Sequence, residues 1–276
     1  MKLTPACCSV HTHSTCCDGK DSLEAMAEAA CAAGVKYFGA SCHSQTPIVS
    51  DVGFVLPVDP VDYRQQVLAL RERYAGRMEV LLGLEWDRYS DAILTGYDYW
   101  IGSVHYQKSA DGSYYPADWT AEHFEVCRRE MWGGDALAVT EGYFAQVAVV
   151  AAKKPTILGH IDLITKLNEG GCLFDENAPR YRRAALEALH AADPKETLLE
   201  INTGGVARGY RKHPYPALFL LKEWKGMGGR VIITSDSHQA DTILFGYQEA
   251  AELARAAGFT HSTILTLSGQ VECGLD

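Results

Sequence analysis

Short apolar runs alternate with amphipathic stretches along the chain, and this alternation constrains the fold more than any other feature. Seven of the runs have the length and composition of buried strands. They cover residues 5–10, 35–40, 78–84, 99–104, 156–159, 197–202 and 230–234, and residues 263–267 form a last strand or sheet edge. Strands that alternate with helices build βαβ units, so we expect a parallel sheet in an α/β barrel or a doubly wound fold.

Amphipathic stretches fill the intervals between these predicted strands. Ser22 is a suitable N-cap for the first helix, which runs to Ala33 and ends at Gly34. The other predicted helices cover residues 61–74, 120–132, 136–152, 179–191, 215–225 and 248–257. Because no repeat, low-complexity tract or linker interrupts the pattern, we expect residues 1–276 to form a single domain.

Composition argues against several classes of protein. The chain has 25 basic and 35 acidic residues, a net charge of −10, which disfavours binding along a nucleic-acid backbone. No apolar run reaches the ~20 residues of a membrane-spanning helix, and residues 1–10 lack the features of an export signal. We therefore expect a cytoplasmic protein whose nine cysteines are reduced and mostly packed in the core. Nothing in the sequence specifies an oligomeric state.

Side chains that can bind metal ions stand just past the ends of six of the seven predicted strands. The remaining strand ends instead in Asn202 and Thr203. The metal-binding candidates are His11, His13, His43, Glu85, His105, His160, Asp236 and His238. In parallel α/β barrels the C-terminal ends of the strands meet at one mouth, where catalytic residues gather. The register therefore predicts a metal cluster at that mouth.

The chemistry of these side chains indicates which ions fit. His11 and His13 are two residues apart in an extended segment, so their imidazoles face the same side, and Asp236 and His238 repeat that spacing. Imidazole together with carboxylate suits zinc, iron or manganese better than calcium or magnesium. Because the set exceeds what one ion can use, we expect two or three divalent ions, with the carboxylate of Glu85 bridging two of them.

The order of the motifs resembles that of the PHP superfamily of metal-dependent phosphoesterases, and specifically its histidinol-phosphate phosphatase branch. The matching stretches are VHTH at 10–13, CDGK at 17–20, GASCH at 39–43, GLE at 83–85, GSVH at 102–105, GHIDL at 159–163, EINTG at 200–204 and TSDSH at 234–238. The resemblance implies a distorted seven-stranded (β/α) barrel with a trinuclear metal site at the C-terminal end of the parallel strands.

The same resemblance implies the metal ligands. His11, His13, Glu85 and Asp236 would hold the first ion, Glu85, His105 and His160 the second, and Asp18, His43 and His238 the third. Catalytic roles fall to Glu85, Asp236 and His238. One position departs from the family pattern, in which an aspartate precedes the histidine that matches His43. Cys42 stands there instead, and we expect it to pack in the core, with a role as a soft metal ligand as the alternative.

The implied reaction is hydrolysis of a small phosphate monoester. Metal ions neutralise phosphoryl oxygens and lower the pKa of a bound water toward ~7, so that a hydroxide shared by two ions can attack phosphorus. The glycine-rich loop at 202–212 adds Arg208 and Arg211, and Arg208 is the first choice for binding the phosphate. The resemblance favours L-histidinol phosphate as substrate. A sugar phosphate or a nucleotide is the alternative substrate, and a non-catalytic metal-binding module is the alternative function.

Recognition of histidinol phosphate requires groups for an ammonium and an imidazole. Asp18, Asp87 and Asp162 are the candidate carboxylates for the ammonium, although the resemblance assigns Asp18 to a metal. Tyr106 and Tyr210 are candidates to flank the imidazole.

Overall fold

The computed structural model describes residues 3–48 and 59–275 of the chain. Its strands are β1 Cys8–Ser9, β2 Tyr37–Ala40, β3 Glu79–Asp87, β4 Tyr99–Ser103, β5 Tyr106–Lys108, β6 Tyr114–Pro116, β7 Ile157–Leu158, β8 Leu198–Asn202, β9 Arg230–Thr234, β10 His261–Thr266 and β11 Gly269–Gly274. Its α-helices are α1 Leu23–Ala32, α2 Pro60–Arg73, α3 Ala121–Trp132, α4 Ala136–Ala151, α5 Pro179–His190, α6 Gly204–Ala207, α7 Leu218–Gly226 and α8 Tyr247–Ala256.

Seven of these strands form one parallel sheet in the order β1-β2-β3-β4-β7-β8-β9. The two edges of the sheet meet just beyond β1 and β9, a junction that we call the barrel seam. There the His13 amide donates to the Ser237 carbonyl at 2.7 Å, and the Ser237 amide donates to the His11 carbonyl at 3.1 Å. The sheet is thereby nearly closed into a barrel, and the predicted seven-stranded α/β barrel is confirmed.

The interior of the barrel has an apolar layer with a polar layer above it. Leu81, Ile101 and Ile232 belong to the apolar layer, which the β10–β11 hairpin covers through Ile264. Successive side chains of a strand point to opposite faces, so Glu85 faces the same side as Leu81, four residues before it. The carboxyl ends of the strands therefore carry polar side chains over a dry base.

Two differences from the predicted strands bear on the site. β1 covers only Cys8–Ser9, because Pro5 cannot donate to a sheet and the chain makes a 3-10 turn at Pro5–Cys7. β3 continues to Asp87, so Glu85 lies inside the strand rather than just past its end. In addition, the antiparallel β5–β6 hairpin is absent from the predicted elements, and the predicted last strand is one arm of the antiparallel β10–β11 hairpin.

The predicted helices are present, with one shift. The Ser22 hydroxyl caps α1 by accepting from the Ala25 amide at 3.2 Å. α7 begins at Leu218 rather than at 215, since Pro216 disfavours helical backbone at the residue before it. The amide and carbonyl of Tyr215 instead pair with Asn202 at the end of β8, at 2.9 Å each. Within the described ranges, every helix is too short or too polar to cross a membrane.

Candidate metal centre

The nine residues assigned as ligands by resemblance converge at the carboxyl ends of the parallel strands. They form four overlapping groups, and within each group the potential ligand atoms lie within 4.8 Å of one another. The groups are His13, Asp18, His43 and His238; His11, His13 and Asp236; His11, Glu85 and His160; and His43, Glu85 and His105. Each group combines imidazole with carboxylate, which is a donor set that suits zinc, iron or manganese.

The carboxylate of Glu85 lies at the middle of this arrangement. Its Oε2 is 2.9, 3.3 and 3.5 Å from ring nitrogens of His43, His13 and His11, and its Oε1 is 2.9 and 3.4 Å from those of His160 and His105. The Ser103 hydroxyl on β4 donates to Oε1 at 2.8 Å. Glu85 is 1% exposed, so both oxygens face protein groups. A carboxylate in this position can bridge two cations, as the sequence predicts for Glu85.

Three buried polar atoms at the centre identify a place that fits a cation. His11 Nε2, His13 Nε2 and Glu85 Oε2 are buried and have no hydrogen-bond partner. Asp236 Oδ1 faces the same two imidazoles, 3.6 Å from His11 Nε2 and 3.3 Å from His13 Nε2. Buried polar atoms are almost always hydrogen-bonded because an unpaired one loses its hydration without compensation. Convergent lone pairs of this kind fit metal ions.

The other ring nitrogen of three histidines is held by a hydrogen bond. His11 Nδ1 lies 2.5 Å from Glu200 Oε1, and His105 Nδ1 lies 3.2 Å from Asp87 Oδ2. His13 Nδ1 lies 3.4 Å from the Cys17 sulfur. An acceptor behind a ligating imidazole fixes its tautomer and orientation. Each of these rings therefore turns its Nε2 toward the centre.

Glu200 is a candidate positioning residue that the sequence analysis did not single out. It is fully buried on β8, and its carboxylate also accepts from the Thr234 hydroxyl at 2.7 Å, the His160 amide at 2.6 Å and the Asn202 side-chain amide at 3.0 Å. The sequence does contain an indication of this role, since a glutamate inside the apolar strand of β8 must have buried partners. Those partners are the backbone and side chains that surround the metal groups.

Charges within the site shift the pKa values of its members in opposite directions. Burial lowers the pKa of His105, but the carboxylates of Glu85 and Asp87 outweigh burial and raise it to about 10. Burial raises the pKa of Glu85, but His43, His11 and His105 outweigh burial and hold it well below its usual range. His238 differs, because burial and the neighbouring His13 lower its pKa. Metal ions must therefore displace protons from the imidazoles with raised pKa, and metal affinity increases with pH.

Comparison with known proteins identifies the family. Residues 9–204 match the PHP domain. The chain belongs to the PHP domain family. A relative from Deinococcus radiodurans, named probable histidinol-phosphatase, is 28% identical over 263 residues, which cover 91% of this chain and 94% of the relative. A relative of the same name from Schizosaccharomyces pombe is 23% identical over 279 residues, which cover 91% of this chain and 87% of the relative.

A solved structure has the same fold as this PHP chain. It is a histidinol phosphate phosphatase from Lactococcus lactis, determined in complex with zinc, L-histidinol and phosphate. Its TM-score is 0.68 at 19% sequence identity, and the alignment covers 95% of this chain and 98% of that one. The likeness extends over nearly the whole of both chains and supports the barrel architecture.

Arg208 lies at the edge of the four groups of potential ligands. Its guanidinium donates to Asp236 Oδ2 at 3.0 Å, to the Asp236 carbonyl at 3.0 Å, and lies 2.8 Å from His238 Nδ1. Asp236 has a left-handed backbone with φ of 46°, which is unusual for a residue other than glycine. The Arg208 bonds hold both the backbone and the carboxylate of Asp236. Burial raises the pKa of Asp236, but the Arg208 guanidinium, together with the neighbouring histidines, outweighs burial and holds the pKa well below its usual range.

Arg211, the second candidate for phosphate binding, has different partners. Its guanidinium donates to the Thr165 carbonyl at 2.8 Å and to Glu176 at 3.0 Å. It does not line the cavity that contains the metal groups. Arg208 follows the short helix α6 directly. Arg211 comes after Gly209, whose φ of 76° turns the chain, so the two arginines have different neighbours.

Asp18 and Cys42 occupy contrasting positions. Asp18 is 38% exposed at the mouth, with Oδ1 3.6 Å from His43 Nε2 and Oδ2 3.3 Å from His238 Nε2. Cys42 is 2% exposed and packs in the apolar cluster beneath α1 and α2, with its sulfur 3.4 Å from the Ser14 hydroxyl. It is not a member of any of the four described metal groups. The packing role expected for Cys42 agrees with this position.

A cavity of about 160 Å³ opens over the metal groups. Arg208 lines it, and its remaining walls are mainly aromatic and apolar apart from one ion pair. These wall residues are Tyr106, Pro116, Asp118, Trp119, Leu163, Lys166 and Tyr210. Two of the candidate carboxylates for an ammonium do not line it. Asp87 is occupied by His105, and Asp162 accepts from the Ala217 amide at 2.8 Å.

Proposed function

We propose that this PHP protein is a metal-dependent phosphomonoester hydrolase that converts L-histidinol phosphate and water to L-histidinol and phosphate. The observation that carries the proposal is the convergence of nine imidazole and carboxylate side chains under one cavity, where three buried candidate ligand atoms make no hydrogen bond. The names of two relatives that align over nine-tenths of this chain, both probable histidinol-phosphatase, support the choice of substrate.

Two or three divalent ions would be held by the four groups, with zinc, iron and manganese all compatible with the donors. When bound, such ions neutralise the phosphoryl oxygens and lower the pKa of a coordinated water. Glu85 would hold ions on both sides, since its two oxygens face different sets of histidines. We infer that His238 serves the third group together with His43 and Asp18.

The chain's own side chains would bind and orient the phosphate. Arg208 lines the cavity and has a planar guanidinium that matches two phosphoryl oxygens. Asp236 is ionised, because its pKa is well below the usual range, and its Oδ1 faces the centre. We assign to that oxygen a ligand role toward the ion that His11 and His13 would hold, because a carboxylate with so low a pKa is a poor proton acceptor. The apolar base of the barrel excludes other water from the reacting groups.

Two smaller inferences accompany the proposal. We infer that residues 1–276 act as one domain, because a single sheet contains all seven parallel strands and the β10–β11 hairpin packs beneath it, with the Ser262 hydroxyl 3.4 Å from the Val231 carbonyl. We also infer that the partner is a small phosphate ester rather than a nucleic acid, since the net charge is −10.

The test is a comparison of kcat/KM on the metal-loaded protein. L-histidinol phosphate should exceed sugar phosphates and nucleotide monophosphates by more than roughly a hundredfold, because a site with polar contacts to the leaving group rejects esters that lack its partners. A flat profile would leave a general phosphoesterase and remove histidinol phosphate. Absence of turnover on every ester, with metal bound, would instead favour a metal-binding module.

A further inference from the structure

One carboxylate in the cavity is not part of the metal groups. Among residues 3–48 and 59–275, four acidic residues line the cavity: Asp18, Glu85, Asp118 and Asp236. All of them except Asp118 belong to the four described groups of potential ligands. Asp118 is 17% exposed, and it follows the β5–β6 hairpin just before α3. A carboxylate in such a place needs a positively charged partner, because burial of an unpaired charge is costly.

In the structure, that partner is Lys166. Its ammonium lies 2.8 Å from Asp118 Oδ2 and 4.9 Å from the centre of the Tyr210 ring. Burial raises the pKa of Asp118, but Lys166, His105 and His160 together outweigh burial and lower it. The ion pair with Lys166 keeps Asp118 charged within a cavity that His105 and His160 also line. It adds negative charge to a cavity whose wall also contains the candidate metal ligands.

The surroundings of Asp118 suit an organic cation. Trp119, Tyr106 and Tyr210 line the same cavity, and Leu163 adds an aliphatic wall. Aromatic faces stabilise cations and stack on heterocycles. A carboxylate has two oxygens and can accept from several donors, so it can bind a second ammonium beside Lys166. This wall thus combines a recognition site for an ammonium with flat surfaces for a ring.

We propose that Asp118 binds the ammonium group of an amino-alcohol phosphate and thereby determines the substrate class. This inference rests on the proposed phosphatase function. In histidinol phosphate the amino group is on the carbon next to the ester methylene, so it lies close to the phosphate when the phosphate is at the metal groups. Asp118 lines the same cavity as His105 and His160, and the Ala117 amide next to it donates to the His105 carbonyl at 2.8 Å. Asp118 takes the role that the sequence analysis offered to Asp18, Asp87 and Asp162.

A competing explanation gives Asp118 a different task. If the carboxylate only holds Lys166 in place to contact the phosphate, then its loss weakens every phosphomonoester equally. If it binds the ammonium, then its loss weakens only esters that carry one. The two explanations predict different effects on kcat/KM for different substrates. A pair of esters that differ only in the amino group therefore distinguishes between them.

The experiment compares metal-loaded wild type, Asp118→Asn and the control Asp62→Asn, which makes the same change on the exposed face of α2. The probes are L-histidinol phosphate and its deaminated analogue, imidazolylpropyl phosphate. Asp118→Asn should lower kcat/KM for histidinol phosphate by roughly ten- to a hundredfold, the range for a hydrogen bond to a charged group, and change the analogue by less than about threefold. Asp62→Asn should leave both values unchanged. Turnover of the analogue also reports whether Asp118→Asn is folded.

A second variant protects the test if Asp118→Asn does not fold. Lys166→Gln retains the carboxylate, and its ratio of the two kcat/KM values should equal or exceed that of wild type. Equal losses on both esters in Asp118→Asn, no loss on either, or a ratio near one in Lys166→Gln would overturn the role of Asp118. If the wild-type protein does not prefer histidinol phosphate over sugar phosphates, the proposed function itself is wrong.

Discussion

Five imidazole nitrogens lie within 3.5 Å of the two oxygens of Glu85, and this single side chain joins groups from several strands. Glu200 stands behind it in a different role: it touches His11 through Nδ1, on the side of the ring away from the centre. One carboxylate is thus a candidate ligand, and the other orients a ligand. We therefore expect a change of glutamate to glutamine to reduce metal binding more at position 85 than at position 200.

Glu85→Gln should remove most of the bound metal, because an amide replaces the charge that faces two sides of the site. Glu200→Gln should weaken metal binding by roughly ten- to a hundredfold, the usual effect of losing an outer partner of a ligand. Metal content after dialysis against buffers of fixed free zinc or manganese measures both. Glu72→Gln, an exposed change on α2, is the control. Full metal content in Glu85→Gln would contradict the bridging role.

At the scale of elements, the alternation of strands and helices was sufficient to predict the parallel sheet. It did not predict where each strand ends or which short segments form hairpins. Glu85 could be assigned to the right strand, yet apolar periodicity does not reveal that β3 continues past it to Asp87. The β5–β6 hairpin is short and rich in tyrosine, and its pattern is not distinguishable from a loop. Because Asp118 follows that hairpin, its position beside Lys166 depends on a contact across 48 residues that no local pattern encodes.

The loop after β8 illustrates the same limit. Arg208 and Arg211 are three residues apart, and composition alone makes both candidates for phosphate. The structure directs Arg208 to Asp236 and Arg211 to Glu176 and the Thr165 carbonyl. These partners are 28 to 46 residues away in sequence. Tertiary contacts thus decide which cation faces the cavity.

Asp162 connects the end of β7 with the start of α7, and it permits a prediction on stability. Its carboxylate accepts from the Ala217 amide at 2.8 Å, and burial raises its pKa from 3.8 to about 6. The folded state therefore binds a proton more tightly than the unfolded state, and this contribution to stability is lost as pH rises from about 4 to about 6. At pH 8 the ionised carboxylate costs about 3 kcal/mol relative to a neutral group.

Asp162→Asn removes that cost and retains an oxygen that can accept from the Ala217 amide. The free energy of unfolding of the variant, relative to wild type, should increase by about 2–3 kcal/mol between pH 4 and pH 8. Urea unfolding of the chelated proteins at several pH values measures it. Asp62→Asn, an exposed change, should give a difference that does not depend on pH. A constant difference for Asp162→Asn would show that its carboxyl titrates normally.

For the molecule as a whole, the sequence predicted which candidate ligands come together but not how they connect the two edges of the barrel. The residue types of the candidate ligands and their order along the chain were sufficient to predict that they come together. The barrel seam depends instead on the curvature of the sheet, which brings residues 11–13 next to Ser237 although more than two hundred positions separate them. Potential ligands lie on both sides of this junction: His11 and His13 follow β1, and Asp236 follows β9. Metal binding and barrel closure are therefore expected to be coupled.

The barrel seam should be the part of the sheet that responds most to metal removal. Three backbone hydrogen bonds join the segments that follow β1 and β9, the third from the Lys20 amide to the His238 carbonyl at 2.7 Å. Ions held between His11, His13 and Asp236 would add a further connection across the seam. At a free metal concentration about 1,000 times Kd, binding stabilises the fold by about 4 kcal/mol, which raises Tm by roughly 10 °C for a chain of this size. Scanning calorimetry with zinc or manganese, and then with chelator, measures the shift. Hydrogen exchange should accelerate at the amides of His13 and Ser237 well before those of the β10–β11 hairpin, which contains none of the ligands. Equal acceleration at the seam and in that hairpin would mean that metal stabilises the molecule without closing the barrel.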